Sequence, residues 1–501
     1  MKFLSLAKVL KGSKISGSGD PELTGISENS KQTRPGEIFV CIPGAKLDGK
    51  AFAREAVQLG ASAVVVQGKP LKGLGIPQMA VKDSREALAR LSHFYYGDPS
   101  KKLKVIGVTG TKGKTTTTYL IRSILERAAQ PAGLIGTIAY QVGSKTYEAN
   151  NTTPSSLTLV KLLDEMVRQG CAWAVMEVSS HSLEMKRVLG MEFAGAVFTN
   201  LGRDHLDYHK NFANYFRAKR RLFSDFKALQ ARAANADDPF GRKLLREFKS
   251  GAVGFGLKSK CAYRALKVVH RPGFIGFEVQ GRPFQAPLTG LFNVYNSLAA
   301  IAILRELGLS WERLQEGLKH APAVPGRFEE VGAGQDFTVL VDYAHTPDAL
   351  EQALAAAREI LGKKTSRKLI SVFGCGGDRD RTKRPLMGRI SAQLADMTVV
   401  TSDNPRSEKP AVILSEILRG IPARLVQNGH RKVWVEEQRG EAIRLALSMA
   451  KKGDLVLIAG KGHETYQIIG EEKQHFDDRE VAREIIKKLL PRRREGKRQN
   501  A

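Results

Sequence analysis

Two hydrophobic patterns alternate along the chain. Segments such as "EIFVCIPG", "ASAVVVQG", "KVIGVTG", "AWAVMEV", "AGAVFTN", "FTVLVDYAH", "RKLISVFGCGG", "MTVVTSDNP" and "DLVLIAGKGH" each hold an apolar run that ends in polar or glycine residues. Runs of this kind mark strands buried on both faces. Between them, "AFAREAVQLG", "YLIRSILERAA" and "NVYNSLAAIAILRELG" place apolar residues at helical spacing. Strand-helix alternation predicts an α/β fold with parallel sheets covered by helices.

A chain of 501 residues is too long for one core, so three domains are expected. Residues 1–102 read as a small α/β unit, closed by the polar linker "GDPSKKLK". Residues 103–325 read as a larger parallel-sheet domain. It carries a β-rich insert, "AYRALKVVH" and "GFIGFEVQ", joined by a Pro-Gly turn. After "APAVPGRFE", residues 326–501 form a third alternating unit of Rossmann-like pattern, ending in the basic tail "PRRREGKRQNA", which is expected to be mobile.

Charge narrows the partners. Lys and Arg number 79 against 51 Asp and Glu, a net charge of +28. Such a balance suits nucleic acid, an anionic membrane surface or polyanionic small substrates. The basic residues are spread out, with no aromatic-basic interleaving, so nucleic acid is not expected as a partner. Cys41, Cys171, Cys261 and Cys375 form no C-x-x-C pair, which points to a reducing compartment without a metal cluster. The N-terminus lacks a signal-peptide pattern, and no apolar stretch approaches the roughly 18 residues of a membrane span. The cytoplasm is the expected location.

The chemistry concentrates in strand-end loops, where open α/β sheets bind ligands. In "GVTGTKGKTTTT", a strand turns through glycines into a helix. Gly110 and Gly113 allow close approach to an anion, Lys114 reaches toward phosphates, and the Thr115 hydroxyl suits Mg²⁺. The strict phosphate-loop pattern wants Gly where this chain has Val108. Glu177 ends another strand and suits Mg²⁺, and His205 lies in the Asp- and His-rich loop "LGRDHLDYH". Lys219, in "NYFRAKRRLF", reads by itself as a solvated helix face. In the third unit Arg379 and Arg406 suit carboxylates. Asp403, Asn404 and Glu464 suit an ammonium, and together the five form a receptor for an amino acid.

These motifs, in this order, resemble the Mur ligase family of ATP-dependent ligases that build the peptide of peptidoglycan precursors. The carriers are "GTKGKT", "NTTP", "MEVSSHSL", "FTNLGRDHLDYH", "VDYAHTPDALE", "FGCGGDRDRTKRPLMG", "DNPR" and "AGKGHE". The family's phosphate loop lacks the glycine missing at position 108. The resemblance implies a UDP-binding N-terminal domain, a central P-loop ATPase-like domain and a C-terminal Rossmann-like domain. It implies that Gly110, Thr111, Lys112, Gly113, Lys114, Thr115 and Thr116 hold ATP, with Asn293, Arg327, Asp342 and His345 contacting the nucleotide. Thr115, Glu177 and His205 would serve Mg²⁺. Lys219 matches a lysine that family members carry as a CO₂ adduct, a carbamate that helps hold metal. Catalysis would fall to Lys114, Lys219, His205 and Glu177.

For the UDP-linked substrate the resemblance implies Glu28, Ser30, Ala45, Lys46, Leu47, Asn151, Thr152, Thr153, Ser179, Met185 and Arg187. Two departures stand out. Asn29-Ser30-Lys31 replaces the usual Asp-Ser-Arg, and Met185 stands where Gln is common. For the amino acid it implies Arg379, Asp403, Asn404, Pro405, Arg406, Gly460 and Glu464. The implied reaction phosphorylates the D-Glu γ-carboxylate of UDP-MurNAc-L-Ala-D-Glu, and an amine then displaces phosphate. "DNPR" points to meso-diaminopimelate, with L-lysine as runner-up and a folylpolyglutamate synthetase-like ligase more distant. A monomer is expected. Peripheral association with the inner membrane or cell-wall synthesis proteins is left open, and the non-enzyme alternative is a basic scaffold on nucleic acid or membrane.

Overall fold

The computed structural model describes residues 1–44, 47–362, 366–426 and 432–498. The chain divides into two compact units, Met1–Arg264 with Tyr295–Gly317, and Ala265–Val294 with Leu318–Ala501. In the first unit, residues before Lys104 build a five-stranded sheet in the order Lys14–Ser16, Gln78–Val81, Ala63–Gln67, Glu37–Val40, Gly25–Ser27. Only the first of these strands pairs antiparallel. Val64, Val65 and Val66 are fully buried, with alternate residues packing into different clusters on the two faces. That explains why the strand reads as a continuous apolar run.

A larger sheet in the same unit carries the phosphate loop. Strand β1 (Lys104–Thr109) enters the loop, and helix α1 (Lys114–Arg127) leaves it. Leu120, Ile121, Ile124 and Leu125 form the buried face of α1. Strand β2 (Trp173–Glu177) is followed by the short helix α2 (Ser180–Glu184). Strand β3 (Gly195–Phe198) leads to helix α3 (Phe212–Ser224). Strand β1 lies between β2 and β3, parallel to both. The register sets Glu177 opposite Val108, and Phe198 opposite Thr109. The carboxyl ends of the three strands therefore stand level, and their loops open on one edge of the sheet.

In the second unit, Phe274–Val279 pairs antiparallel with residues 265–271 of the strand Tyr263–Arg271 before it and with Arg282–Ala286 after it, the hairpin expected around Pro272 and Gly273. The main sheet has the order Glu329–Glu330, β4 (Thr338–Asp342), Leu455–Ala459, β5 (Leu369–Phe373), β6 (Met397–Val400), Val433–Val435. All but the first strand run parallel. Leu340 packs on one face of the sheet, and Val339 and Val341 on the other. Helix α4 (Lys383–Leu394) follows β5. The last helix, α5 (Asp478–Arg498), buries Ala482, Ile485 and Ile486. The basic stretch expected as a mobile tail instead continues α5 as far as Arg498, an extension that suits its Arg-, Glu- and Lys-rich composition.

Asp478 opens α5 as one half of a fully buried ion pair. Arg439 Nε donates to Asp478 Oδ1 at 2.7 Å and its Nη2 to Oδ2 at 2.6 Å. The same guanidinium donates to the carbonyls of Ser402 and Ala459, at 3.2 and 3.1 Å. It thus pins the ends of two strands beside the last helix. Removing one member would leave the other charge buried and unpaired. Asp478→Ala is expected to destabilise this unit by about 3–5 kcal/mol, read as a shift of its unfolding transition in urea.

Candidate active site

The turn from β1 into α1 is built for an anion. Gly113 sits at φ +84° as the N-cap, and a Cβ there would lie 2.4 Å from Asn296 Oδ1. With glycine at that position, the backbone N–H groups at the start of α1 point outward from a helix N-terminus. Lys114 Nζ lies over the loop and donates to the carbonyls of Gly110 and Thr111, both at 3.0 Å. The Lys112 N–H donates to Asn200 Oδ1, and Gly202 N–H to Thr111 Oγ1, so the loop after β3 braces the phosphate loop. Thr115 and Thr116 are buried in the first turn of α1.

Lys219 is not on a solvated face. It projects from α3 into the interior, 1% exposed, and its Nζ donates to Gly110 O at 2.7 Å. The Tyr215 ring lies 4.6 Å from the same ammonium. Burial, and next the Lys114 charge, push the Lys219 amine well below the usual lysine range. The sequence pattern missed this burial because the neighbouring Arg220 and Arg221 do face outward.

Glu177 is fully buried at the tip of β2. Its Oε1 accepts the Thr137 N–H at 2.8 Å and its Oε2 the Thr137 hydroxyl at 3.1 Å. Thr153 Oγ1 donates to Glu177 O and accepts the Ser179 N–H. Arg187 Nη1 donates to Thr153 O at 2.7 Å, and Arg187 Nη2 approaches Met185 Sδ at 3.6 Å. Thr152 Oγ1 lies 3.0 Å from Thr137 Oγ1, and the Tyr140 hydroxyl bonds Asn151 O at 2.6 Å. Asn151, Thr152, Thr153, Ser179, Met185 and Arg187 thus form one network around the tip of β2. Glu28 accepts the hydroxyl of Ser155, two residues after Thr153, and its carboxyl is raised by burial. Ser30 is buried in a short 3-10 helix. Leu47 is exposed, and Ala45 and Lys46 lie outside the described residues.

His205 adopts φ +52° ahead of a one-turn helix, with Nε2 3.5 Å from Asp204 Oδ2. Its ring meets that of His181 edge to face at 4.8 Å. Burial foremost, and also the Lys114 and Lys219 charges, lower its pKa, which favours the neutral, ligating imidazole. Among the described residues no group of three or more His, Cys, Asp or Glu converges for a metal. The Thr115 hydroxyl in the first turn of α1 and the Glu177 carboxylate at the tip of β2 are oxygen donors that fit Mg²⁺, a hard ion that takes few protein ligands and completes its shell with phosphate oxygens and water. A cavity of about 500 Å³ lies elsewhere, by the amino ends of β1 and β3. Its Lys101, Lys186 and Arg221 are each paired with carboxylates.

In the second unit the loops after β5, β6 and Leu455–Ala459 meet. Asn404 Nδ2 donates to Glu464 Oε2 at 2.9 Å, and Asn404 Oδ1 accepts Lys461 Nζ at 3.1 Å and the Ile468 N–H at 3.0 Å. Asp403 is buried, and a Cβ on Gly460 would lie 2.8 Å from its Oδ2. Arg406, after Pro405, adopts φ +53°, and its Nη1 donates to Gly377 O at 2.8 Å. Arg379 is exposed, with Nη1 on Asp378 O. Asp342 Oδ2 accepts the Phe328 N–H, His345 Nδ1 donates to Tyr343 O, and the Arg327 guanidinium lies 5.0 Å from the Tyr343 ring. Burial lowers the His345 pKa and keeps the ring neutral. Asn293 Nδ2 donates to Thr289 O. Sequence reasoning missed Lys461 and Arg384, both fully buried; each sits inside a named motif, "AGKGHE" and "DRTKRP", and a buried cation carries no signal in its own letter.

Three family models match the chain: "Mur ligase family, catalytic domain" over residues 22–96, "Mur ligase middle domain" over 108–304, and "Mur ligase, glutamate ligase domain" over 326–462. A UDP-N-acetylmuramoyl-L-alanyl-D-glutamate--2,6-diaminopimelate ligase of Geobacillus thermodenitrificans is 43% identical, covering 97% of this chain and 99% of that protein. The ligase of the same name from Geobacter sulfurreducens is 44% identical over 96% and 98%. A solved structure of a ligase with this name matches at 32% identity and TM-score 0.66, over 93% of this chain and 95% of that one. A Mycobacterium tuberculosis folylpolyglutamate synthase shares the fold alone, at 16% identity and TM-score 0.57, over 75% of this chain and 92% of that one. With three domain matches in order and relatives aligned end to end, the chain belongs to the Mur ligase family.

Proposed function

We propose that this protein is an ATP-dependent amide ligase that joins meso-diaminopimelate to the D-Glu γ-carboxylate of UDP-MurNAc-L-Ala-D-Glu, in the cytoplasm. The full-length relatives carry that acceptor and amino acid in their names. The observation that carries the reading is the level set of strand ends around β1. It gathers a phosphate cradle, a buried carboxylate and the Thr153–Arg187 network on one edge. We also propose the domain bounds 1–102, 103–325 and 326–501, with one reactant assigned to each.

A carboxylate is a poor electrophile, so it needs activation before an amine attacks. Lys114 and the outward N–H groups of the loop stabilise charge on the phosphoryl group in transfer. Mg²⁺, held by Thr115, Glu177 and His205, would neutralise phosphate charge when bound. Arg187 and the Asn151–Thr153 segment would orient the dipeptide end of the UDP substrate. Asn293, Arg327, Asp342 and His345 are assigned to the nucleotide. Asp403, Asn404 and Glu464 would take the ammonium of the amino acid, and Arg379 and Arg406 its carboxylates. Lys219 is assigned a carbamate because it is buried against Gly110 O beside Lys114, surroundings that favour the neutral amine, the form that adds CO₂.

Three outcomes check these roles. Lys114→Ala is expected to fold normally and lose at least about 100-fold in kcat, the scale of a deleted oxyanion donor. Near-normal turnover would remove the phosphate-loop assignment. Lys219→Ala is expected to lose most activity and to regain part of it with added acetate or formate, which supply the missing anion. Full activity without rescue would overturn the carbamate.

The third outcome separates diaminopimelate from lysine. A charge-assisted bond to the distal carboxylate is worth roughly 1.5–3 kcal/mol. Arg406→Ala should therefore raise the KM for diaminopimelate by at least about tenfold, with little change for ATP or lysine. Measuring kcat/KM for both amino acids decides it. A wild-type preference for lysine would remove the diaminopimelate assignment and keep the ligase.

A further inference from the structure

The two arginine-bearing loops, 376–379 and 404–408, are laced together from below. The Gly377 N–H donates to Asn404 O at 2.9 Å. A Cβ on Gly377 would lie 1.8 Å from Pro405 O, so the two backbones come into direct contact there. The Asp378 carboxylate accepts the Ser407 hydroxyl at 2.7 Å and its N–H at 3.2 Å, while Glu408 Oε1 accepts the Asp378 N–H at 2.7 Å. Beneath both loops lies the Arg384 side chain, 0% exposed. Its Nη1 and Nη2 clasp Glu408 at 2.9 and 2.7 Å, its Nη1 reaches Glu416 at 2.6 Å, and its Nη2 reaches Gly376 O at 3.2 Å. Arg384 therefore bonds the first loop directly and the second through Glu408.

We propose that Arg384 is a positioning residue for the amino-acid site: it sets the spacing of Arg379 and Arg406 and keeps the Glu408 carboxylate away from them. The spacing argument is geometric. Arg379 follows Asp378, and Arg406 lies two residues before Glu408, so both inherit their placement from the Arg384 fork. The second argument is electrostatic. The Arg384 fork holds the Glu408 carboxyl down to about 2, so it stays an anion, two residues along the chain from Arg406 and clasped by Arg384 and by the Asp378 N–H. Released from the fork, it would compete with the substrate carboxylates for those guanidiniums. A lysine at 384 keeps one charge and loses the bidentate clasp.

This inference rests on the amino-acid site proposed above. The test follows phosphate release as the amino acid is titrated at saturating ATP and UDP-MurNAc-L-Ala-D-Glu. Arg384→Lys is expected to raise the amino-acid KM by about tenfold, with the ATP KM within about twofold. Arg384→Gln should raise the amino-acid KM further. Adding Glu408→Gln to Arg384→Gln should recover part of the loss, because the freed carboxylate is gone. Should the Arg384 variants not fold, Glu408→Gln alone reads the same bridge from its other end and should raise the amino-acid KM several-fold.

Equal rises in the amino-acid and ATP KM, or an unchanged amino-acid KM, would overturn the positioning role. A double variant no better than Arg384→Gln would overturn the competing carboxylate. A wild type that uses lysine refutes the specificity given to Arg406 and leaves this test intact, since it runs with whichever amino acid is turned over. Phosphate release independent of any amino acid would overturn the site reading and this inference together.

Discussion

Parallel pairing of Lys104–Thr109 with strands on both sides is the constraint from which the candidate catalytic edge follows. A one-residue slip would turn every side chain to the opposite face. It would bury the wrong set of residues and carry Glu177 out of line with the phosphate loop. The register is held because both faces of β1 are covered, with Val105, Ile106 and Val108 fully buried. Hydrophobic packing thereby places a carboxylate, a phosphate cradle and a histidine loop on one edge, where the Lys112–Asn200 and Gly202–Thr111 bonds tie the last two together.

Charge at this edge is organised by burial. Lys219 is held in the interior against a backbone carbonyl and next to Lys114. Two amines so close raise the cost of the cationic state, and desolvation raises it further. The same surroundings keep His205 and His181 neutral, the latter with its pKa pushed down to about 4 by burial and its histidine neighbours. The edge proposed for the phosphates thus limits its own positive charge in advance.

The second unit uses the opposite device. There the charges are paired before any substrate arrives: Arg439 with Asp478, Arg384 with Glu408 and Glu416, Lys461 with Glu464. Each buried pair is costly to desolvate and costly to break, so each holds its loops in one arrangement. Arg379 is left exposed and Arg406 half-buried, and they donate to the backbone carbonyls of Asp378 and Gly377. That contrast divides the arginines into those that shape the site and those suited to a ligand.

The alternation of apolar runs and helical spacing was enough to read the α/β class, the strands at Lys104–Thr109, Trp173–Glu177 and Leu455–Ala459, and the hairpin after residue 263. These elements are local: their burial repeats along the chain at the period of the backbone. The glycine loop and "DNPR" were legible for the same reason, since their chemistry is contiguous. Lys219, Lys461 and Arg384 were not. A lysine within "RAKRR" and an arginine within "DRTKR" look solvated by composition, and only packing against Gly110, Asn404 or Glu408 takes them out of water. The helical continuation of the basic C-terminal stretch was also hidden, because its helix is anchored by Ala482, Ile485 and Ile486 on a sheet formed far away in sequence. The sequence determined which segments become strands and which loops carry reactive groups; the tertiary structure decided which charges are buried, because burial is a property of neighbours that the chain brings together only by folding.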